Sequence, residues 1–379
     1  MEHKIRILNP FITTGYVGSD YFCDREKETA DILQLLQNGN HIAIISPRRY
    51  GKTDLIRHCF SQKEISENYY TFIIDIYSTK SFSDMVNQLG KTILNTLRSR
   101  GEKAWNSFLS FLLSIRGGIT YDACGNPTWS LSVGDIDSPH TTLDEIFRYL
   151  QNADKPCLVA IDEFQQVTKY NDDSIEAALR THIQCTSNAH FLFCGSQQHL
   201  MGTIFTSSGR PFYQSVTLYS LQRISLDKYK AFCLHHFHTA GKELQDGVVE
   251  TVYEQFDGVT YYLQRIMNEL YSMTPAQNTC LCSDVETAVR TIIANASTIY
   301  EDLLYQLPAK QLSILNAIAK DGKVKNITSG AFAKKHSLLS PSSVKSAIPA
   351  LLDKGLITYE LGYYKLHDKF LEIWIRERF

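Results

Sequence analysis

The sequence predicts an α/β fold with a mostly parallel sheet, followed by a helical region and a small C-terminal domain. Three continuous apolar runs, at residues 41–45, 157–161 and 191–194, have the composition of strands buried on both faces of a parallel sheet. Segments with the helical spacing of apolar residues alternate with these runs, as crossover connections require. Beyond residue 226 the strong strand-like runs disappear, which indicates a change of architecture.

Within the α/β core, each element follows from the local spacing of apolar residues. The first strand is preceded by a loop at residues 22–28 and an amphipathic helix, and the core ends near residue 221. Alternating residues at 119–121 and 129–133, around Cys124-Gly-Asn-Pro127, predict a β-hairpin inside an insertion at about residues 80–140. The other predicted elements are a strand at 70–77 and helices at 30–36, 82–97, 104–115, 142–150 and 174–186.

The remainder of the chain predicts two further domains. Residues 226–305 are helical in pattern, with Gly258 as the main internal break, which suits a helical lid. Three helices and two short alternating runs then describe a winged helix-turn-helix, although Pro349 is irregular inside the third helix. These helices are expected at 310–319, 329–335 and 342–354, and the strands at 356–359 and 363–366. The domains are therefore expected at 1–221, 222–306 and 307–379.

The eight residues after the first apolar run, SPRRYGKT, match the pattern of a nucleotide-binding P-loop. Such a loop directs backbone N–H groups at phosphates, while Lys52 reaches the outer phosphates and the Thr53 hydroxyl binds Mg²⁺. Ser46 replaces the first glycine of the pattern. Arg48 and Arg49 are interpreted either as phosphate contacts or as a tether between the loop and the core. The candidate nucleotide-binding residues are Ser46, Pro47, Arg48, Arg49, Tyr50, Gly51, Lys52, Thr53 and Asp54.

The second apolar run ends in Asp162-Glu163, the pattern of a Walker B strand whose carboxyl end delivers two carboxylates to a site. Asp162 is expected to hold Mg²⁺ through water and Glu163 to polarise the attacking water, because phosphoryl transfer needs charge neutralisation and a positioned nucleophile. The alternative is a solvated loop after a core strand. The third run ends in Gly195-Ser196, and Ser196 is a candidate γ-phosphate sensor or, alternatively, the N-cap of a helix at 197–201.

Composition limits the class of protein. The chain has 379 residues, 44% of them apolar, which suffices for two or three packed domains. Neither a bilayer-spanning stretch nor a signal-peptide core is apparent, so we expect a cytoplasmic protein. Nine scattered cysteines and twelve histidines without ligand spacing argue against disulfides and a protein-bound metal. Residues 307–379 carry twelve Lys or Arg and six Asp or Glu, a net charge of +6 that favours nucleic acid.

Taken together, these motifs resemble the archaeal-type P-loop ATPases of the AAA+/STAND assemblage, which also occur in bacteria. The resemblance covers nearly the full length and implies a RecA-like core of the ASCE/AAA+ type, a helical lid, a winged helix and ATP-dependent conformational switching. It rests on Asn9-Pro-Phe11, the box at 22–28, PRRYGKT, LVAIDEFQ, FCGS, GRPFY and the terminal YKLHDKFLEIW.

The resemblance also implies roles for residues outside the P-loop. Phe22 and Arg25 correspond to residues near the adenine, and Arg210 to a trans-acting or sensor arginine at the γ-phosphate, with a surface arginine as the alternative. His367 corresponds to a winged-helix histidine that contacts the β-phosphate of ADP, with a solvent-facing histidine as the alternative. Residues 258–260 read Gly-Val-Thr where STAND lids carry Gly-x-Pro, so a lid contact with the base is not expected.

The winged helix predicts contacts with double-stranded DNA, with a protein-facing wing as the alternative. The start of its third helix would meet base edges, while lysines outside it would meet phosphates. The candidate base contacts are Ser342, Ser343, Lys345 and Ser346, and the candidate phosphate contacts are Lys334, Lys335 and Lys365.

Three functions are consistent with these features. The leading one is a Mg²⁺-dependent ATPase that switches between ATP and ADP states, coupled to DNA and able to form homo-oligomers. The second is a DNA-binding regulator that binds ATP or ADP without turnover. The third is a scaffold whose protein partner docks on the Trp129 hairpin and the helical insertion and which uses nucleotide only for stability.

Overall fold

The computed structural model describes residues 9–379 other than 115, 132–135, 137, 171, 173 and 361. The chain divides into two units. The first, here called the sheet unit, comprises Ile12–Tyr229 and Val259–Tyr261. The second, the helical unit, comprises Lys230–Gly258, Tyr262–Phe379 and the described residues before Ile12. The predicted division into domains at 1–221, 222–306 and 307–379 stays a prediction.

The sheet unit is built on five parallel strands in the order β2-β5-β6-β1-β7. A two-stranded antiparallel hairpin, β3-β4, accompanies this sheet. The strands are β1 Ile42–Ile45, β2 Tyr70–Asp75, β3 Ile119–Tyr121, β4 Pro127–Trp129, β5 Cys157–Asp162, β6 Ala189–Gly195 and β7 Thr217–Ser220. The helices are α1 Glu26–Gln37, α2 Lys52–Ser61, α3 Lys63–Asn68, α4 Phe82–Arg98, α5 Glu102–Phe111, α6 Pro139–Asn152, α7 Ile175–Cys185 and α8 Gln198–Thr206.

The central strands are apolar throughout because alternate residues face two different hydrophobic cores. In β5, Leu158 and Ala160 pack in one core, and Val159 and Ile161 pack in the other. Every residue of β5 is buried. Parallel pairing aligns the carboxyl ends of β1, β5 and β6, so the residues that follow these strands meet at one edge of the sheet. This alignment confirms the predicted α/β core.

The second strand of the hairpin in the insertion lies earlier in the chain than predicted. This strand is Pro127–Trp129 rather than residues 129–133, of which 132 and 133 lie outside the described residues. Asp122 sets the turn, because its carboxylate accepts hydrogen bonds from the backbone N–H groups of Cys124 and Asn126, each at 2.9 Å. Trp129 is buried and donates its indole N–H to Asn87 on α4 at 2.5 Å, which anchors the hairpin.

Further differences separate the structure from the sequence-based prediction. Strand β7 was not predicted. Helix α5 ends at Phe111 rather than at residue 115, and beyond it the backbone N–H of Ser114 donates a hydrogen bond to the Glu145 carboxylate at 3.0 Å. A short parallel pair, β8 (Glu243–Leu244) with β9 (Thr279–Cys280), occurs in the region expected to be helical throughout. The last helix, α16 (Lys369–Arg378), was also not predicted. Its N-cap is Asp368, whose side chain accepts a hydrogen bond from the backbone N–H of Phe370 at 2.9 Å.

The remaining elements follow β7 along the chain. Three helices, α13 to α15, precede the β10-β11 hairpin, and α15 continues through Pro349 to its end. The helices are α9 Leu226–Thr239, α10 Val248–Gln255, α11 Thr260–Met273, α12 Cys282–Tyr305, α13 Ala309–Asp321, α14 Gly330–Lys335, α15 Pro341–Asp353 and α16 Lys369–Arg378. The strands are β8 Glu243–Leu244, β9 Thr279–Cys280, β10 Ile357–Glu360 and β11 Tyr363–Leu366.

Among the described residues, no helix combines the length and the apolar character needed to cross a membrane.

Candidate nucleotide-binding site

The predicted P-loop connects the end of β1 to the start of α2. Its unusual backbone positions are Arg49 and Gly51, with φ of 70° and 82° in the left-handed region. Ser46 is fully buried at the end of β1 and does not adopt positive φ, so the turn forms without a glycine at that position. Gly51 is the N-cap of α2, which places the positive end of the α2 dipole at the loop.

Lys52 is buried, and its ammonium is held by the loop itself. Its Nζ donates hydrogen bonds to the carbonyl oxygens of Ser46 at 3.0 Å and Pro47 at 2.8 Å. Burial lowers the pKa of Lys52, while the nearby carboxylates of Glu163 and Asp162 act in the opposite direction. The side chain is thus fixed across the loop, where an anionic ligand would supply further compensation for its burial.

Thr53 and Asp162 meet although 109 residues separate them in the chain. The Thr53 hydroxyl donates to Asp162 Oδ2 at 2.5 Å. The other carboxylate oxygen, Oδ1, accepts the backbone N–H of Glu163 and the thiol of Cys194, each at 2.9 Å. Burial raises the pKa of Cys194 well above its usual value, which keeps the thiol protonated and able to donate. A hydroxyl and a carboxylate side by side are the oxygen donors that Mg²⁺ prefers, so the residues present fit this ion.

Glu163 is oriented by its backbone and by two side chains. Its φ of 56° is left-handed, which is unusual for a non-glycine residue and turns the chain sharply after β5. Its Oε2 accepts a hydrogen bond from Ser196 Oγ at 2.8 Å and another from the Gln165 side-chain amide. Ser196 Oγ in turn accepts a bond from Arg48 Nε at 2.9 Å. The P-loop, the Glu163 carboxylate and the residue after β6 therefore form one hydrogen-bonded group.

The alternative interpretation of Ser196 as a helix N-cap is wrong. The N-cap of α8 is Gln197, and the helix starts at Gln198. The Ser196 hydroxyl bonds to Glu163 and Arg48 instead.

Several residues of this region were not among the predicted ones. Gln165 lies beside Gly195, whose missing side chain leaves room for the Gln165 amide. Asp75 ends β2 in register with Asp162, and burial raises the pKa of its carboxyl group. Asp75 lay inside the strand predicted at 70–77, and its sequence signal was an acidic residue at the end of the apolar segment 70–74, comparable to the position of Asp162 after 157–161. For Gln165 no comparable signal exists.

The loop residues Arg49 and Tyr50 bond to segments distant in the chain. The carbonyl oxygen of Arg49 accepts the N–H of Tyr261 at 3.1 Å, and its guanidinium lies 4.9 Å from the centre of the Tyr261 ring. The Tyr50 hydroxyl accepts a hydrogen bond from Arg223 Nε at 3.2 Å. Arg49 is thus engaged by a cation–π contact in the sheet unit.

Phe22 and Arg25 lie at the approach to α1. The Phe22 ring stacks on His58 of α2 with ring centres 4.6 Å apart, which places it against the helix that follows the P-loop. Arg25 is 2% exposed and pairs with Glu28 at 2.5 Å, and one of its terminal nitrogens, Nη2, is buried without a hydrogen-bond partner among the described residues.

Arg210 and His367 lie in different parts of the chain. Arg210 follows α8 and forms an ion pair with Glu176 on α7, inside the sheet unit. His367 lies between β11 and α16 in the helical unit. Its backbone N–H donates a hydrogen bond to the Leu356 carbonyl oxygen at 3.0 Å, and its backbone carbonyl oxygen accepts one from the Tyr262 hydroxyl at 3.2 Å. The phosphate-related roles of both residues stay predictions.

The candidate DNA-binding residues lie at the start of α15 and near it. Ser342, Lys345 and Ser346 are exposed, and Ser343 is half-buried. The Ser346 hydroxyl accepts a hydrogen bond from Lys310 Nζ at 2.7 Å. Two of the lysines proposed for phosphates form ion pairs at the surface, Lys335 with Asp321 at 2.7 Å and Lys365 with Glu360 at 2.8 Å. Lys335 is exposed, and a surface pair of this kind contributes roughly 0–1 kcal/mol, so a phosphate would compete for Lys335 at little cost, whereas the Lys365–Glu360 pair is half-buried.

The parallel sheet, the glycine-lysine-threonine loop and the acidic pair after β5 define a P-loop nucleotide-binding protein. The chain belongs to a family of ATPase domains found predominantly in Archaea, whose model matches residues 22–266. A second model, for a probable winged helix domain, matches residues 298–377. Both findings confirm the predicted family resemblance and fold class.

Solved structures support the same fold. A Walker-type ATPase of Pyrococcus abyssi superposes with a TM-score of 0.66 at 17% identity, covering 97% of this chain and 99% of that chain. The ORC2 protein of Aeropyrum pernix, solved as ADPNP-ADP complexes, gives 0.53 at 14% identity, with 97% and 96% covered. The ORC1 protein of Aeropyrum pernix, solved in complex with DNA, gives 0.52 at 11% identity, with 95% and 94% covered. A search of curated proteins found no match.

Proposed function

We propose that this protein binds and hydrolyses ATP with Mg²⁺ and that the nucleotide controls its binding to double-stranded DNA. The hydrogen bond between Thr53 and Asp162 carries the proposal, because it joins the two side chains that a P-loop ATPase uses toward its metal ion. Membership of the archaeal-type ATPase family supports nucleotide binding.

The residues around the loop have distinct proposed tasks. The backbone N–H groups of residues 46–54 other than Pro47, which has none, bind the phosphates at the start of α2, and Lys52 neutralises the outer phosphates. Thr53 and Asp162 hold Mg²⁺, which when bound neutralises charge on the phosphate oxygens. Glu163 orients the attacking water and accepts its proton, and Ser196, bonded to Glu163, is the proposed sensor of the γ-phosphate.

Four residues outside the loop complete the proposed nucleotide cycle. Phe22 and Arg25 bind near the adenine; the stacking of Phe22 on α2 and the unpartnered Nη2 of Arg25 support this placement. Arg210 approaches the γ-phosphate as a sensor or from a second copy of the chain, and would first have to leave Glu176. His367 contacts the β-phosphate in the ADP state and makes the cycle a conformational switch.

DNA binding is proposed from the winged helix and its charge. The winged-helix model matches residues 298–377, and Lys and Arg exceed Asp and Glu by six in the overlapping segment 307–379. The exposed Ser342, Lys345 and Ser346 at the start of α15 face solvent where a recognition helix reads base edges. A structural neighbour of the same fold was solved in complex with DNA.

Steady-state ATP hydrolysis tests the proposal, measured with and without double-stranded DNA and Mg²⁺. We expect Lys52→Ala and Glu163→Gln each to lower kcat/KM by about 100-fold or more, because each removes a group that acts on transition-state charge or on the nucleophile. Matched controls are Lys63→Ala and Glu67→Gln, which change exposed residues of α3 in the same unit.

Three results would change the conclusion. Tight ATP binding without turnover, unaffected by Glu163→Gln, would indicate a regulator that does not hydrolyse ATP. Equal loss of activity in the α3 controls would indicate damage to the fold rather than to the site. Hydrolysis that DNA neither stimulates nor inhibits, without DNA binding at low salt, would refute the coupling to DNA.

A further inference from the structure

Arg48 links the P-loop to the carboxylate of Glu163. Arg48 Nε donates to Ser196 Oγ at 2.9 Å, and Ser196 Oγ donates to Glu163 Oε2 at 2.8 Å. A hydroxyl has one proton and two lone pairs, so Ser196 can accept the first bond while it donates the second. The donor from a charged guanidinium polarises the hydroxyl and strengthens the bond that the hydroxyl gives to the carboxylate.

The same carboxylate oxygen is held from a second direction. The Gln165 amide donates to Glu163 Oε2, and Gln165 is itself 2% exposed and enclosed beside Gly195. The Glu163 backbone is in the left-handed region, and its N–H is bonded to Asp162. Two donors therefore meet at Glu163 Oε2, the Gln165 amide and the Ser196 hydroxyl, and Arg48 bonds to the second of them.

We propose that Arg48 is a positioning residue that orients Glu163 through Ser196. This inference rests on the proposed hydrolysis and deepens it, because it assigns Arg48 to the carboxylate rather than to a phosphate. The sequence left open whether Arg48 contacts a phosphate or ties the loop to the core. The Nε atom makes the contact, so the link requires an N–H donor at this position of the side chain, and the guanidinium charge adds to the strength of that bond.

Two substitutions separate the N–H group from the charge. In Arg48→Gln, the amide nitrogen is bonded to Cδ as Nε is in arginine, so a donor remains at the same place without the charge. Arg48→Met has a similar length and no donor. These variants are measured together with Ser196→Ala and the double variant Arg48→Met with Ser196→Ala, and Arg100→Ala serves as an exposed arginine control in the sheet unit.

We expect Arg48→Met to lower kcat by about 10- to 100-fold with KM changed less than about twofold, since misplacement of a reacting group affects chemistry rather than binding. Arg48→Gln should retain most of kcat. The double variant should lose no more than Ser196→Ala alone, because both substitutions interrupt one connection. An equal loss in Arg48→Gln and Arg48→Met, a rise in KM larger than the fall in kcat, or multiplying losses in the double variant would each overturn the proposal.

A second readout does not depend on turnover. Urea unfolding of the nucleotide-free protein is compared for the same single and double variants. We expect the shift of the unfolding midpoint in the double variant to be smaller than the sum of the two single shifts. Additive shifts would overturn the Arg48–Ser196 link even where wild-type protein hydrolyses ATP. If wild-type protein does not hydrolyse ATP, the proposed function is refuted. The urea unfolding of the variants would then still test the Arg48–Ser196 link independently.

Discussion

The stability of the sheet unit should depend on pH through His41, which precedes β1. Its ring Nδ1 accepts the backbone N–H of Phe191 at 3.2 Å, and its ring centre lies 6.0 Å from that of His190. Burial, and secondarily the charge of His190, lowers the pKa of His41 from 6.5 to about 4. A proton on Nδ1 would remove the acceptor, so the folded protein favours the neutral ring.

The direction and size of the effect follow from proton linkage. Because the pKa of His41 is lower in the folded state, the unfolded state binds the proton first, and stability falls as pH drops from about 6.5 towards about 4. Above about pH 6.5 the contribution is fully present. Between about pH 7.5 and about pH 5 the free energy of unfolding should decrease by about 2 kcal/mol through His41.

Urea unfolding at these two pH values measures the effect. The comparison is with His41→Gln, whose side-chain oxygen can accept an N–H but does not titrate, and with His235→Gln on the exposed face of α9 as control. Wild type and the control should lose about 2 kcal/mol more than His41→Gln between the two pH values. Equal losses in all three proteins would refute the assignment of this pH dependence to His41.

Two further predictions concern the loop edge and the winged helix. Gly195→Ala should destabilise the protein by about 1–3 kcal/mol and lower kcat, because the added methyl group would overlap the Gln165 amide and Met201. Urea unfolding measures the loss of stability, and ATPase assays measure the loss of kcat. The matched control Gly202→Ala, at an open position within α8, should be neutral or stabilising, and a similar loss there would contradict the steric argument. Lys345→Ala should weaken binding to double-stranded DNA. If Lys345 contacts a phosphate, the slope of log affinity against log salt should fall by about 1, and if it contacts a base edge, the preference for that base should relax. Unchanged DNA binding would exclude the start of α15 from the interface.

The strands that carry the site could be predicted because burial on both faces leaves a local signature. β1, β5 and β6 are continuous apolar runs, and parallel strands in one sheet place the residues after them at one edge. β7 was missed because only alternate residues are half-buried and two of its four residues are exposed, so it lacks that signature. The two-residue strands β8 and β9 are too short for any period to be visible.

The sequence by itself determined the class of the protein and the chemistry-bearing residues of the loop and the β5 end, because these depend on residue type and spacing along one stretch of chain. Only the tertiary structure decided that Arg48 bonds to Ser196, that Gln165 and Ser196 share one oxygen of Glu163, and that Ser196 is not a helix cap. The physical reason is that hydrogen-bond partners are chosen by distance and direction in space. Arg48 and Ser196 are 148 residues apart, and no local pattern carries that information.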